Sequence, residues 1–344
     1  MQVPTPPART LQAQKAQTPV IAGARRFAAT LLLATFFTVA CYAADLAPAT
    51  RALLDGRADA AIALLDPILA ANPQDGEAHL LLCRAYYSEE QPSAAAAQCA
   101  DALKTLSQDS AAQDWAGRAF GLEASRAGPI NGLRLALKVR AAFEAAVHLD
   151  PHNGEAVNDL SEYYIDAPAV IGGGFDKADR LADESQADLP QQAHRIRALS
   201  AEKQKDYAAA EREFRAATSV ANHPAAWTDL GAFYARRSQP DQAVDALRHA
   251  IAADRIHDAS LVDTAVILNK IHREPRLAER ALRDYLASRA KSDAAPAFRV
   301  HVTLASLLRD EGNTAEATIE LHKALALASG YAPARKQLAA LQQP

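Results

Sequence analysis

Cysteine and methionine, two residues that often build functional sites, are scarce in this chain. Three of its 344 residues are cysteine and one is methionine. So few cysteines exclude a disulfide-dense small scaffold and a repeated cysteine metal site. Glycine is also sparse at 14 residues, and aromatic residues make up 6% of the chain, whereas alanine supplies nearly a quarter. This composition favours helices and argues against an all-β sandwich or barrel.

Acidic residues are missing from the first 43 positions, which hold four basic residues, Arg9, Lys15, Arg25 and Arg26. A basic pair, an apolar run and small residues on both sides of Tyr42 follow in the order of a secretory signal peptide. We therefore expect residues 1–43 to be a signal peptide and the remainder to be periplasmic or secreted. The uncharged stretch 27–44 is also just long enough to remain as a membrane anchor, which is the alternative.

Motifs of catalytic and metal sites are absent as well. The sequence contains no His-Glu-x-x-His, Cys-x-x-Cys or Gly-x-Ser-x-Gly pattern, and its one glycine cluster is not followed by the Lys-Ser/Thr of a phosphate loop. We expect no enzyme activity, no cofactor and no metal. The net charge of −4 becomes more negative once residues 1–43 are removed, so nucleic acid is excluded as a partner, because binding it needs a concentrated basic face.

The most informative stretch is 224–250. Its first part carries Trp227, Leu230, Gly231 and Tyr234, and its second part carries Ala243, Leu247 and Ala250. Spacings of three and four place each set on one face of a helix. The Pro-Asp pair between the two sets suits the start of a second helix. The stretch therefore predicts a helical hairpin.

The small-x3-large-x2-small spacing of the second helix recurs along the chain. Successive occurrences start between 32 and 44 residues apart. The other seven are Ala61/Leu65/Ile68, Ala95/Cys99/Ala102, Val139/Phe143/Ala146, Ala178/Ala182/Ser185, Ala210/Phe214/Ala217, Ala278/Leu282/Tyr285 and Ala317/Leu321/Ala324.

These residues resemble the tetratricopeptide repeat, whose pattern is W-x2-L-G-x2-Y followed by A-x3-F and a proline. The resemblance implies an all-α fold, a right-handed α-solenoid of helical hairpins whose first helices line a concave face. We expect a solenoid over 44–344 that ends in a C-terminal capping helix at 332–344. The expected repeats are 47–75, 76–110, 111–152, 153–190, 191–223, 224–257, 258–297 and 298–331.

The resemblance also implies that the chain binds proteins and takes no cofactor. The expected function is a non-enzymatic scaffold or adaptor that holds a protein or peptide partner on the concave face. Two alternatives stay open: a membrane-tethered accessory subunit of an envelope assembly complex, and an enzyme whose site is assembled across repeats.

Basic residues are frequent at the inward positions of the first helices, although the chain is acidic. This contrast predicts a partner segment with acidic or C-terminal character, unless the charges are merely solvated. The candidate binding residues on the concave face are Arg84, Tyr87, Asn158, Glu162, Arg195, Arg236, Lys270, Arg299 and Arg309.

The fourth repeat contains an insertion between its two helices. Fourteen residues separate Tyr164 from Ala178, whereas nine separate Tyr234 from Ala243 in the regular repeat. We expect the insertion either to contact a partner or to fold back as a local plug over Tyr163. Its candidate residues are Pro168, Val170, Ile171, Gly172, Gly173 and Gly174.

Two cysteines fall on facing helices of the second hairpin. Cys83 takes a small position on the first helix, and Cys99 takes the large position on the second. Antiparallel pairing about the turn between them brings the two side chains together. We therefore predict a disulfide between Cys83 and Cys99, in keeping with an oxidising compartment.

Overall fold

The computed structural model describes residues 45–220 and 222–342, and the signal-peptide prediction lies outside them. Regular structure in these ranges is helical throughout, and the two ranges form one compact unit. The helices are α1 (Ala47–Leu54), α2 (Ala58–Ala71), α3 (Gly76–Ser88), α4 (Pro92–Ala102), α5 (Ser110–Ala124), α6 (Pro129–Leu149), α7 (Gly154–Asp166), α8 (Phe175–Ser185), α9 (Pro190–Lys203), α10 (Tyr207–Val220), α11 (Pro224–Arg236), α12 (Pro240–Ala253), α13 (Ser260–Lys270), α14 (Pro275–Ala287), α15 (Ala297–Asp310), α16 (Thr314–Leu327) and α17 (Ala332–Leu341).

Consecutive helices pack as antiparallel hairpins, from α1 with α2 to α15 with α16, and α17 packs on α16 at the end. Each first helix also contacts the first helix of the next hairpin. The predicted all-α solenoid of helical hairpins is confirmed.

Small residues let the two helices of a hairpin approach closely. Gly231 of α11 lies directly against Leu247 of α12, where a Cβ atom would overlap the leucine side chain. The eight triplets predicted from the sequence are buried in the second helices, except that Ile68 is half-buried. They form the hydrophobic core of the solenoid together with the buried face of the first helices.

Several first helices begin at a side-chain cap. Asp75, Asp109 and Asn153 accept hydrogen bonds from the backbone N–H groups three residues later, at 3.1, 2.7 and 3.2 Å. These bonds satisfy donors that have no partner within a helix. The local sequence therefore fixes where α3, α5 and α7 start.

Histidines tie the two helices of three hairpins together, each to an acceptor 19 residues later. The His Nδ1 atom lies 2.6 to 2.7 Å from a side-chain oxygen on the second helix. The pairs are His79 with Gln98, His194 with Glu213, and His301 with Glu320.

The disulfide prediction is confirmed. Cys83 and Cys99 are bonded across the hairpin of α3 and α4, with their Cα atoms 5.2 Å apart, and both side chains are fully buried. The bond closes a loop with a sequence separation of 16 residues.

The two ends of the solenoid are in contact with each other. Arg84 Nε of α3 lies 2.7 Å from Asp293 Oδ2, in the loop before α15. Glu90, in the turn after α3, accepts from Arg299 of α15 at 3.1 Å, and Asp59 of α2 accepts from the backbone N–H of Ser329 at 2.8 Å. The first two hairpins therefore close onto the last one, and the solenoid forms a ring.

Apolar contacts complete this closure. Ala58 of α2 is buried in the same hydrophobic cluster as the last three hairpins. Gly56, in the turn before α2, lies so close to the backbone nitrogen of Ala297 that a Cβ atom would overlap it. Within the described ranges, no helix is both long and apolar enough to cross a membrane.

Candidate functional site

The first helices share one face, and side chains on it reach from each first helix to the next. The first helices α3 and α15 meet where the ring closes, so the face that the first helices share lies on the inside of the ring. We call it the inner face. Its polar side chains form two clusters, one centred on Arg118 and the other on Arg195. Both clusters connect residues that lie about one repeat apart in the sequence.

Arg118 of α5 is surrounded by carboxylates. It lies 3.0 Å from Asp114 and 3.1 Å from Glu155, and it also donates to Asp159 of α7. Its guanidinium carbon stands 4.8 Å from the centre of the Trp115 ring, and that of Arg84 stands 5.2 Å from the same ring. A single indole thus contacts two guanidinium groups, which contributes to the orientation of both.

Burial controls the charge of this cluster. It raises the pKa of Asp114 to about 7, although Arg118 acts in the opposite direction. Burial also raises the pKa of Asp159. Removing a carboxylate from water costs more free energy at this site than the attraction of one shared guanidinium recovers. The aspartates of the cluster therefore retain protons at a pH where an ordinary aspartate is ionised.

Arg195 of α9 is the centre of the second cluster. Its Nη2 atom donates to Glu162 of α7 at 2.6 Å, and its Nε atom donates to Asp229 of α11 at 3.1 Å. Its Nη1 atom is buried and has no hydrogen-bond partner. Arg236 lies two turns after Asp229 on α11 and forms a bidentate ion pair with Glu202, with both hydrogen bonds at 2.7 Å.

A cavity of about 580 Å³ opens between these groups. Glu162, Arg195 and Arg236 contribute charge to its wall, and Ile165 and Leu199 contribute apolar surface. The cavity is mixed in character, with cations, carboxylates and aliphatic groups side by side. Such a lining suits a segment of polypeptide better than a purely apolar small molecule.

No candidate metal site is found in the part of the chain that the structure describes. Neither range contains a group of three or more His, Cys, Asp or Glu side chains arranged to hold a metal ion. The chemistry that the inner face offers is hydrogen bonding and ion pairing.

The first hairpins match a known repeat family. A family model described as the tetratricopeptide repeat matches residues 52–116. The solved structure of yeast Tom70 aligns with a TM-score of 0.51 and 15% identity, over 89% of this chain and 66% of its own.

Residues 52–116 thus match the tetratricopeptide repeat, and the chain shares the helical-repeat fold of Tom70.

Two further solved repeat structures match less closely. The APC/C hetero-tetramer Cut9–Hcn1 aligns with a TM-score of 0.40 and 14% identity, over 86% of this chain and 54% of that one. TTC0263, a thermophilic repeat protein of Thermus thermophilus, aligns with a TM-score of 0.38 and 16% identity, over 67% and 92% of the two chains. This chain thus spans between half and two thirds of the length of Tom70 and of the Cut9–Hcn1 chain. Among curated proteins, none shows significant sequence similarity to it.

The structure brings three of the predicted concave-face residues together. Glu162, Arg195 and Arg236 line one cavity. Asn158 lies on α7 with a buried Oδ1 atom that has no hydrogen-bond partner. Tyr87 packs edge-on against Trp115, with the ring centres 5.5 Å apart.

The remaining predicted concave-face residues lie elsewhere. Arg84 and Arg299 take part in the contacts that close the ring. Lys270 is the exposed last residue of α13, and Arg309, near the end of α15, pairs with the adjacent Asp310 at 2.8 Å. The role of all these residues in partner binding stays a prediction.

The inserted segment of the fourth repeat forms a short 3-10 turn, Ala169–Ile171, which we call the inserted turn. The Tyr163 hydroxyl lies 2.8 Å from the Ile171 carbonyl oxygen and 3.1 Å from that of Ala136 in α6. Ile171 is half-buried, whereas Val170 is 85% exposed. The turn therefore packs partly on α6 and leaves one large apolar side chain in solvent.

Gly172 and Gly173 are buried under this turn, and Pro168 is exposed at its start. Gly172 has a φ of +97°, in the left-handed region that favours glycine. At Gly173, a Cβ atom would overlap the carbonyl oxygen of Ala167. Gly174 donates its N–H to the Tyr164 carbonyl at 2.8 Å. The three glycines thus allow a tight return to α8, and their part in partner binding stays a prediction.

Sequence reasoning found Glu162 but missed the other carboxylates that hold the inner-face arginines. Asp229 follows Arg195 by 34 residues, and Glu202 precedes Arg236 by 34. Residues one repeat apart occupy equivalent positions on neighbouring first helices, so opposite charges at that spacing are the signal that would have found these pairs.

Proposed function

We propose that this tetratricopeptide repeat protein is a non-enzymatic scaffold or adaptor that holds a protein or peptide partner in the inner-face cavity. Helical repeats of this type generally serve protein–protein interaction, and the cavity adds a specific place for it. The carrying observation is the Nη1 atom of Arg195, a buried donor without an acceptor.

A guanidinium offers five N–H donors, and a buried donor without a partner costs free energy. Glu162 and Asp229 accept from the other two nitrogens of Arg195, so the guanidinium is held in place. Nη1 is buried and unpaired, and it gains an acceptor only when an incoming group displaces the side chains that cover it. A peptide supplies suitable acceptors, as backbone carbonyls, as acidic side chains or as a C-terminal carboxylate. The proposed partner segment thus places one acceptor on Nη1 and its aliphatic groups against Ile165 and Leu199.

The test is selection of binders from a displayed random-peptide library by the chain from Ala44 onward. Arg195→Lys keeps the positive charge beside Glu162 and Asp229 but removes Nη1. We expect this change to lower the affinity for the selected peptides at least about tenfold, as measured by calorimetric titration, which is equivalent to about 1.4 kcal/mol of binding free energy. The matched control is Arg215→Lys, because Arg215 also contacts a carboxylate, Glu211 at 3.1 Å, but does not line the cavity.

Two results would overturn the proposal. One is a library that yields no peptide above background on the unaltered protein. The other is a set of peptides whose affinity changes equally in the Arg195 and Arg215 variants. Circular dichroism of both variants establishes that the fold is retained.

We further propose that this scaffold works in the periplasm or outside the cell. Support comes from the order of residues in 1–43 and from the buried disulfide, since disulfides persist in oxidising compartments. N-terminal sequencing of the protein from fractionated cells tests it. A mature chain starting at Ala44 in the soluble envelope fraction is the expected result, and retention of 27–44 in the membrane fraction would favour the tethered accessory subunit.

A further inference from the structure

We propose that the tetratricopeptide ring carries a second binding surface, on its outside, which docks on an anionic lipid bilayer. The surface consists of the first half of α6, residues 129–141, and the inserted turn Ala169–Ile171. It involves none of the residues of the inner-face cavity, so this inference does not depend on the proposed partner.

Large apolar side chains are concentrated at this surface. Ile130, Leu133 and Leu137 are 87, 49 and 42% exposed. Their spacings of three and four residues place them in one stripe along α6. Val170 is a fourth such side chain at 85% exposure, and its turn lies beside this part of α6 through the bonds of Tyr163. Four of the nine exposed large apolar residues in the described ranges therefore belong to one surface.

This half of α6 does not use its stripe for the core. Its first six residues include no buried side chain, and burial begins at Leu135 and continues through Val139 and Phe143. Those buried residues lie on the opposite side of the helix from Ile130 and Leu137. The helix is thus apolar on two faces, one against the core and one toward solvent.

The charged side chains on this part of α6 itself are all basic, although Glu123 of α5 lies near Arg134. Residues 129–143 contain no Asp or Glu and three basic residues, in a chain whose net charge is −4. Arg134 and Lys138 flank the stripe on one side and Arg140 on the other. Arg140 lies 3.8 Å from Glu144, one turn further along, and Lys138 lies over the Phe120 ring at 5.2 Å. Arg134 and Lys138 are exposed.

This combination fits a bilayer better than it fits a protein groove. Ile130 and Val170 project from the surface with little contact to their surroundings. Projecting apolar side chains insert among acyl chains, while basic residues beside them contact anionic headgroups, as in helices that lie in the membrane interface. Binding of this kind is reversible and needs no membrane-spanning helix.

Flotation with lipid vesicles tests the proposal, using the chain from Ala44 so that residues 27–43 make no contribution. Vesicles of phosphatidylcholine containing about 30% phosphatidylglycerol are compared with phosphatidylcholine alone. We expect the unaltered protein to float with the anionic vesicles only. Ile130→Ser combined with Leu137→Ser is expected to lower the bound fraction at least about tenfold.

Matched variants separate the electrostatic contribution to vesicle binding from the apolar one. Arg134→Gln combined with Lys138→Gln is expected to abolish the preference for anionic vesicles. The control is Ile256→Ser combined with Ile319→Ser, which removes two isoleucines that are 64 and 54% exposed elsewhere. This control is expected to bind like the unaltered protein.

Equal flotation of the α6 variant and the control would overturn the proposal. So would loss of a self-associated species, measured by analytical ultracentrifugation, in the α6 variant without any effect on flotation, because the surface would then join two copies of the chain. Peptide binding at Arg195 is measured on the same variants. If it is unchanged while flotation is lost, the two surfaces act separately.

Discussion

Each arginine of the inner-face clusters is bonded to carboxylates from other repeats. Arg195 of α9 joins Glu162 of α7 to Asp229 of α11, so one side chain connects three consecutive hairpins. Nη1 of this guanidinium has no acceptor but is buried, so the acceptor of an incoming partner reaches it only after the side chains that cover it move. Ion pairs at the edge of the cavity are screened by salt, so partner binding is expected to weaken as ionic strength rises.

Glu320 gives a prediction about acid stability. The side chain is 2% exposed, and burial would raise its pKa, but the hydrogen bonds from His301 at 2.6 Å and Lys323 at 2.8 Å lower the pKa to about 2. A carboxyl whose pKa is lower in the folded state stabilises the fold above its unfolded pKa of 4.5, and this contribution is lost as the pH falls toward 2.

The change to make is Glu320→Gln, which keeps an acceptor for His301 but cannot ionise. Between pH 6 and pH 2, we expect the unaltered protein to lose roughly 3 kcal/mol more unfolding free energy than the variant loses. Urea denaturation at a series of pH values measures this difference. Parallel curves for the two proteins across that pH range would contradict the assignment.

The disulfide gives a second prediction at the same scale. Cys83→Ala combined with Cys99→Ala removes a cross-link that spans 16 residues of sequence. The chain-entropy model gives a loss of about 3 kcal/mol in unfolding free energy. Reductant is expected to lower the stability of the unaltered protein by a similar amount and to leave the double variant unaffected. If reductant lowers the stability of both proteins equally, its effect does not come from this disulfide.

The helical hairpin is the element that the sequence specified best. Small and large residues at fixed spacing predicted the buried side of each second helix, because that spacing directly encodes which residues face the partner helix. The cysteines could be paired for the same reason. The bonds between hairpins were not predicted, since they depend on the small rotation from each hairpin to the next, which no local pattern encodes.

The inserted turn gives a prediction for a single element. Gly173→Ala would press a methyl group onto the carbonyl oxygen of Ala167, so we expect a loss of about 1 to 3 kcal/mol. The control is Gly121→Ala inside α5, where the new methyl would meet only Val139 at an ordinary 3.9 Å. Because alanine favours helix, that control is expected to gain up to about 1 kcal/mol, as measured by thermal and urea unfolding.

For the inserted turn, hydrogen exchange shows where the loss occurs. The amides of Gly173 and Gly174, which donate to Pro168 and Tyr164, are expected to lose protection in the Gly173 variant. A Gly173 variant as stable as the Gly121 variant would show that the turn is free to open.

For the whole molecule, the contact between its two ends is the feature that a repeat pattern could not predict. Arg84 and Asp293 are 209 residues apart in the sequence, and Asp59 and Ser329 are 270 apart. In an open solenoid, each repeat contacts only its neighbours, and the terminal repeats are the first to unfold. In this ring, the end hairpins protect each other, so a single cooperative unfolding transition is expected.

Two glycines provide a matched test of the closure. Gly56 and Gly312 both lie in the turn inside a hairpin and have φ values of +70 and +84°. Because a residue with a Cβ atom disfavours positive φ, alanine at either position is expected to lower the unfolding free energy by the same amount, about 1 kcal/mol or more. At Gly56 it would also collide with Ala297, whereas at Gly312 nothing lies within 4 Å.

We expect Gly56→Ala to lose a further 1 to 3 kcal/mol or so relative to Gly312→Ala. Its radius of gyration, measured by small-angle X-ray scattering, is expected to increase because the ends separate, and its unfolding is expected to become less cooperative. Identical scattering curves for the two variants would mean that the ends stay together without this contact.

Closure also limits how a gene of this kind can change in length. An open repeat array can gain or lose one unit through recombination and still fold, because each unit needs only its neighbours. A ring resembles a closed β-barrel in this respect, since the number of its units and its geometry are linked. One additional hairpin would carry Asp293 and Ser329 away from Arg84 and Asp59. Tandem duplication or deletion is therefore expected to be selected against in this protein, while single insertions into turns, like the one before α8, are tolerated.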